Sequence, residues 1–232
     1  MSETFKFKKF TISQDRCAMK VGTDGVLLGA WARGGKRVLD VGSGTGLVSL
    51  MMAQRFPLSK VEGVEIDHDA AVQSRENVMA SPFNENVEIY ESALQDFAPS
   101  DRYESIVSNP PFFVNSLASP DKARHIARHA DTLPFGDLFA FVAEWLADDG
   151  EFSAIIPSDY MESFSSEAYL HGLILTRQYG IKTVERKLVK RYLLAFGKHR
   201  KSDYENMTVV LSKEGNKRSE WYENLTKDFY IH

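Results

Sequence analysis

The stretch Ser108-Asn109-Pro110-Pro111-Phe112-Phe113 places a carboxamide, two rigid prolines and two aromatic rings within one short run. Those residue types suit chemistry on a planar amino group. Such an amine, of the kind adenine carries at N6, is a poor nucleophile because its lone pair is delocalised into the ring. Two acceptors aimed at its N–H bonds draw the nitrogen toward tetrahedral geometry. The Asn109 side-chain oxygen and the Pro110 carbonyl are two such acceptors. Consecutive prolines fix both φ angles, so Pro110 and Pro111 preorganise the direction of that carbonyl. Phe112 can stack on a base, an interaction of roughly 1–3 kcal/mol, with Phe113 beside it as a second candidate substrate contact. A paired base would have to be extruded first. Taken in isolation, the same residues also describe a proline turn that ends a strand and leads into core aromatics.

A second constellation lies upstream, in Val38-Leu39-Asp40-Val41-Gly42-Ser43-Gly44-Thr45-Gly46. Alternating glycines let a backbone turn tightly and approach a ligand closely. The helix expected beyond them offers free N–H groups and a positive dipole end. Glu65 ends the next apolar run, where a carboxylate can accept hydrogen bonds from both ribose hydroxyls of a nucleoside. A dinucleotide fingerprint needs glycine or alanine three residues after Gly44, and Leu47 stands there. The spacing is Gly-x-Gly-x-Gly, with Asp40 two residues before Gly42. This resembles motif I of class I methyltransferases. The resemblance implies S-adenosylmethionine as cofactor and S-adenosylhomocysteine as product. It implies that the Gly42–Gly44–Gly46 loop curls around the amino-acid portion, that Asp40 helps place the methionine end, and that Glu65 holds the ribose. Glu91-Ser92-Ala93 then falls where the family contacts adenine, with Ser92 replacing the more usual aspartate. A sulfonium supplies the leaving-group driving force, so neither a strong base nor a metal is required.

These residues need a scaffold, and the hydrophobic pattern outlines one. Arg37 to Val41, Val61 to Ile66, Val87 to Tyr90, Ser105 to Ser108 and Phe152 to Ile156 are expected strands. Gly46 to Arg55, Asp69 to Ala80 and Phe135 to Ala147 are expected helices. Strands alternating with helices imply βαβ units and a parallel sheet. Leu173 to Tyr179, Leu188 to Phe196 and Asn206 to Leu211 follow as strands, with no long helix between the last two, which predicts an antiparallel edge hairpin. The pattern gives the fold class as α/β, and the resemblance to class I methyltransferases implies their Rossmann-like fold: a mostly parallel seven-stranded sheet with an antiparallel edge hairpin and helices on both faces. In such sheets ligands bind beyond the carboxyl ends of the strands. In the family's topology the first and fourth strands flank that crevice, so the resemblance implies that Asn109, after the fourth strand, faces the methyl group of the cofactor. The long connection Phe112 to Leu133 lacks periodicity, and long connections are usually functional or disordered.

The Asn-Pro-Pro-Phe motif belongs to amino-methyltransferases in general. Adenine-N6 enzymes share it with guanine-N2 enzymes of ribosomal RNA and, with tyrosine in place of Phe112, with glutamine-N5 enzymes acting on release factors. The segment Phe10-Thr11-Ile12-Ser13-Gln14-Asp15-Arg16-Cys17-Ala18-Met19-Lys20-Val21-Gly22-Thr23-Asp24-Gly25-Val26-Leu27-Leu28-Gly29-Ala30-Trp31 narrows the choice. Together with the glycine loop, Asn109 to Phe113 and the basic stretch Arg124 to Arg128, it resembles the bacterial tRNA1(Val) (adenine-37-N6)-methyltransferase family over nearly the whole chain. That resemblance implies one methyltransferase domain over residues 1–232, in which 1–34 cap cofactor and substrate and 35–232 form the core. It implies a tRNA partner and N6-methylation of adenosine 37. Lys20 to Gly25 would close over the cofactor, with Lys20 and Thr23 as contacts, and Arg124 and Arg128 would face RNA. Thr23-Asp24 before the apolar run from Val26 also matches a helix N-cap. Guanine-N2 enzymes usually carry a duplicated or extra domain, for which this chain is too short. Glutamine-N5 enzymes carry an N-terminal helical domain that is absent here.

Bulk properties agree without deciding. A chain of 232 residues can bury one sizeable core. Its net charge of −4 neither announces nor excludes a nucleic-acid partner, because binding depends on local basic patches. Such patches are present at Lys6 to Lys9, at Arg186 to Arg191 and at Lys198 to Lys201. The single cysteine, Cys17, precludes an internal disulfide and reads as a small packed residue. No apolar run is long enough to span a membrane, and the start lacks a signal peptide, so a cytoplasmic monomer is expected. His125 and His129 are spaced for one helix face, but no third ligand accompanies them. They group instead with Arg124 and Arg128.

Overall fold

Strands in the middle of the chain are buried on both faces, so their sequences read as continuous apolar runs. The computed structural model describes residues 3–111, 133–200, 202–213 and 217–231. In chain order its elements are β1 (Thr4–Lys6), β2 (Thr11–Ser13), α1 (Thr23–Trp31), β3 (Arg37–Val41), α2 (Leu47–Arg55), β4 (Lys60–Glu65), α3 (His68–Met79), β5 (Val87–Glu91), β6 (Tyr103–Ser108), α4 (Phe135–Trp145), β7 (Leu146–Pro157), α5 (Met161–Leu170), β8 (Ile174–Lys182), β9 (Arg191–Gly197), β10 (Glu205–Val210) and α6 (Glu220–Thr226).

The main sheet has the order β10-β8-β9-β7-β6-β3-β4-β5. Strand β9 runs antiparallel to both β7 and β8, and the other neighbours are parallel. The expected α/β fold is present with eight strands in place of seven. The antiparallel pair is β8 with β9, and it does not form the edge. Strand β10 lies outside β8 and parallel to it, with Asn206 opposite Gln178. The residues of β10 mark a strand but say nothing of which neighbour it will join, which is why sequence alone pairs it with β9. Helix α4 stops at Trp145 and the chain enters β7 directly, two residues before the expected helix end at Ala147. Helix α5 buries only Phe164 and Ala168, too sparse a stripe to reveal its period.

Each face of the sheet has its own core. On one, Leu27 and Leu28 of α1 and Leu50 and Met51 of α2 pack against Val38, Val61 and Leu193. On the other, Phe139 of α4 and Phe164 of α5 meet Phe152 and Phe196, with the Phe139 and Phe164 rings 4.7 Å apart. Helices on both faces leave the ends of the strands as the open side. The β1–β2 hairpin packs at the C-terminal tail, where Phe7 bridges Tyr230. None of the helices in the described residues is long and apolar enough to cross a membrane.

Candidate active site

The carboxyl end of β3 leads into the glycine loop. Gly42, Gly44 and Gly46 have φ of 72°, 54° and 78°, left-handed values that strain any residue with a Cβ. Gly46 also has no room, since a Cβ there would lie 2.6 Å from Ser74 Oγ. Among the described residues a Cβ on Gly42 would meet nothing within 4 Å, and one on Gly44 only the Gly42 carbonyl at 4.0 Å. Those two bare backbones therefore border open space, a cradle that side chains would fill. As N-cap of α2, Gly46 has no side chain to offer. The buried Asp40 carboxylate supplies the missing acceptor. Its Oδ2 takes the Ser49 N–H at 2.9 Å and the Ser49 hydroxyl at 2.7 Å. Burial, only partly opposed by those two donors, pushes the Asp40 carboxyl up to about 7. Glu65, at the end of β4, reaches the same loop. Its Oε2 accepts from Gly44 N at 2.8 Å and its Oε1 from Asp67 N at 3.0 Å.

A cavity of about 370 Å³ opens at this end of the sheet, within the size range of small-molecule sites. Lys20, Thr23, Asp40, Gly42, Gly44 and Asn109 share its wall. Six expected site residues do not. Gly46 lies beneath the loop as the helix cap. Glu65 is engaged with Gly44 and Asp67. Ser92 donates its N–H to the Glu65 carbonyl at 2.9 Å, which ties the ends of β4 and β5 together, and its hydroxyl to the carbonyl of the adjacent Ala93 at 2.9 Å; neither residue lines the cavity. Pro110 is buried and Pro111 exposed, and neither lines the cavity. Phe112, Phe113, Arg124, Arg128, the His125–His129 pair and most of the expected connection to Leu133 lie outside the described residues.

The segment before α1 forms another part of the wall. The Gln14 side chain accepts the Val21 N–H at 2.7 Å, and Lys20 Nζ donates to the Gln14 carbonyl. Thr23 and Asp24 do not cap α1. The cap position is Gly22, with no side-chain hydrogen bond, and Thr23 and Asp24 occupy the first turn. The Asp24 carboxylate is committed elsewhere, to Nε of Arg191. Cys17 is buried and its thiol is pushed up to about 11 by that burial, as befits a packed residue.

The far wall holds Ile181, Thr183, Lys190, Arg191 and Leu211. Sequence reasoning grouped Lys190 and Arg191 by charge alone and missed their place in the site. The signal was topological. Because β9 is antiparallel, its first residue sits beside the last of its neighbours, and Arg191 pairs with Pro157 of β7 and Ile181 of β8. The start of β9 is thereby delivered to the end of the sheet where the parallel strands finish.

A family model, the methyltransferase small domain, matches residues 21–145. The tRNA1(Val) (adenine(37)-N6)-methyltransferase of Phocaeicola vulgatus is 47% identical over 230 residues, spanning 98% of this chain and 97% of that protein. The protein of the same name from Bacteroides thetaiotaomicron is 42% identical over 233 residues, with the same shares covered. Among solved structures, a predicted O-methyltransferase from Agrobacterium tumefaciens superposes with a TM-score of 0.70 at 16% identity, covering 90% of this chain and 98% of that one. A glycopeptide N-methyltransferase complexed with S-adenosyl-L-methionine gives 0.56 at 12% identity, covering 77% and 99%. At such identities the structural likeness speaks for the fold alone.

Proposed function

The chain belongs to the bacterial tRNA1(Val) (adenine(37)-N6)-methyltransferase family, and from that premise we propose that it methylates N6 of adenosine 37 in tRNA1(Val), using S-adenosylmethionine. The observation that carries the reading is the meeting of Asn109 with the glycine loop on one cavity wall. When bound, S-adenosylmethionine supplies an electrophilic methyl group. The residues present fit it. Gly42 and Gly44 leave open space where side chains would stand, and the Glu65 carboxylate lies at Gly44, suited to ribose hydroxyls. Lys20, Thr23 and Asp40 line the same cavity, and the proposal assigns them to the methionine end.

Asn109 and the Pro110 carbonyl act on the amine. Each accepts one N–H of the adenine amino group, localising the nitrogen lone pair toward the methyl group. The buried Pro110 and its neighbour Pro111 hold that carbonyl rigid, so no reorganisation is needed as charge develops. The amine proton departs once the nitrogen has become cationic, when it is acidic enough to pass to water. The proposal assigns Phe112 and Phe113 to the base and Arg124 and Arg128 to RNA. It envisages a single domain acting as a monomer in the cytoplasm, with residues 1–34 capping the cofactor.

The test is labelled-methyl transfer to total tRNA from a strain lacking the enzyme, followed by nucleoside analysis. N6-methyladenosine is the expected product, whereas N2-methylguanosine or methylated protein glutamine would overturn the reading. Asn109→Ala is expected to lower kcat by about 10²–10³-fold, with S-adenosylhomocysteine affinity held within about twofold. Activity surviving in that variant would remove Asn109 from the role of amine-polarising group.

A further inference from the structure

The Asp24–Arg191 pair leaves most of the arginine unused. Asp24 engages Nε alone. Among the described residues Nη1 and Nη2 have no partner, and the side chain is 42% exposed on the cavity wall. Lys190 precedes it on the same wall, and its backbone is clamped on both sides. Its carbonyl accepts from Ser158 N at 3.0 Å, and its N–H donates to the Ile181 carbonyl at 2.9 Å. Two cations on a fixed backbone, one of them oriented by a carboxylate that leaves its fork free, make a receptor for an oxyanion. A guanidinium fork matches such a group bidentately.

Two oxyanions come to this cavity under the function proposed above, on which this inference rests: the cofactor's carboxylate and the RNA backbone. Sheet order separates them. The glycine loop leaves β3, Asn109 leaves β6, and Arg191 opens β9, two strands beyond β6 on the side away from β3. At about 4.8 Å per strand, the base of Arg191 stands roughly 10 Å from that of Asn109 and farther still from the glycine loop. That is the substrate side of the amine site. We propose that Arg191 and Lys190 anchor the phosphate flanking the target adenosine, with Asp24 as the residue that positions the guanidinium.

The experiment measures full-length Arg191→Gln, Lys190→Gln, Arg191→Lys and Asp24→Asn proteins for binding to unmodified tRNA1(Val) transcript across a KCl series. Binding of S-adenosylhomocysteine is measured in parallel by calorimetry. Arg191→Gln and Lys190→Gln should each weaken tRNA binding about tenfold near 0.1 M salt and reduce the salt slope by about 1. Arg191→Lys should keep the slope, because the charge remains. Asp24→Asn should also keep it, since it removes no phosphate contact. S-adenosylhomocysteine affinity should stay within about twofold in all four. Unchanged tRNA affinity and slope in Arg191→Gln would overturn the proposal. So would equal losses in Arg191→Gln and Asp24→Asn with no change of slope, the mark of a purely structural pair. A fall in S-adenosylhomocysteine affinity would reassign the cations to the cofactor carboxylate. Parent protein that forms no N6-methyladenosine in tRNA would instead overturn the function itself, a result distinct from all of these.

Discussion

Asn77 on α3 donates from Nδ2 to the Thr45 carbonyl of the glycine loop at 2.9 Å, and the same carboxamide brackets Ser13. It accepts the Ser13 N–H at 2.8 Å and donates to the Ser13 carbonyl at 2.9 Å. One turn earlier, Gln73 accepts the Arg16 N–H at 3.1 Å and donates to Asp15 at 2.6 Å. A single face of α3 therefore fastens the segment Ser13 to Arg16 and the glycine loop to the same support. The two distant parts of the sequence proposed to hold the cofactor keep a fixed spacing because of it.

Replacing Asn77 with alanine strands three backbone groups at a buried position. Unmade hydrogen bonds of this kind cost about 1–3 kcal/mol each, and some relief comes as water enters. A net loss of about 2–4 kcal/mol in urea unfolding is expected, with weaker S-adenosylhomocysteine binding in calorimetry. A variant within about 0.5 kcal/mol of the parent would show that the segment is held by other contacts.

The three loop glycines should separate in a mutational comparison. Each alanine costs about 1–2 kcal/mol of left-handed strain, but only Gly46→Ala also drives a methyl against Ser74 Oγ. Ser74→Ala removes that oxygen, which has no hydrogen-bond partner among the described residues. The double variant Gly46→Ala/Ser74→Ala should recover about 1 kcal/mol relative to additivity. Gly42→Ala combined with Ser74→Ala should show no coupling. Coupling in both pairs, measured by urea unfolding, would mean that Ser74 acts on the loop by another route.

Much of this site was readable because its parts lie next to the strands that present them. Asp40, Gly42, Gly44 and Gly46 follow β3 without interruption, and Asn109 follows β6, so finding the strand finds the residue. The far wall was not readable in that way. Arg191 enters the cavity only because β9 runs against its neighbours, a property of pairing and not of local pattern. The pairing of the last strand escaped for the same reason: Asn206 to Leu211 reads as a strand, yet its partner is β8, earlier than the adjacent β9. Asp40 was expected to serve the cofactor, and sequence gave no hint that it also caps α2 through Ser49, because that need arises only when glycine occupies the cap.

Asp40 should make stability fall with rising pH. An aspartate in an unfolded chain titrates near 3.9, while the buried group titrates at about 7. The folded state therefore binds this proton more tightly. The stability it contributes is complete below about pH 4 and is lost as pH rises through about 7. Denaturant unfolding of the parent, referenced to Asp40→Asn, should decline between these limits with a slope approaching about 1.4 kcal/mol per pH unit. A flat difference would place the Asp40 carboxyl in the ordinary range and imply that the Ser49 bonds offset its burial.

Glu65 should govern cofactor binding and leave the chemical step nearly untouched. Its two oxygens already accept from Gly44 N and Asp67 N, so the carboxylate is held in place by the loop it serves. In Glu65→Gln one oxygen becomes an amide NH₂ that faces a backbone N–H, and the negative charge that strengthens a bond to a ribose hydroxyl is gone. Hydrogen bonds to charged groups contribute about 1.5–3 kcal/mol, so the cofactor KM should rise tenfold or more. Strand β4 is separated from β6 by β3, roughly 10 Å in all. The amine site at Asn109 should therefore not sense the change, and kcat at saturating cofactor should stay within about threefold. Kinetics with cofactor varied at saturating tRNA separate the two effects. A fall in kcat matching the rise in KM would mean that Glu65 sets the position of the transferred methyl group and does more than hold the ribose.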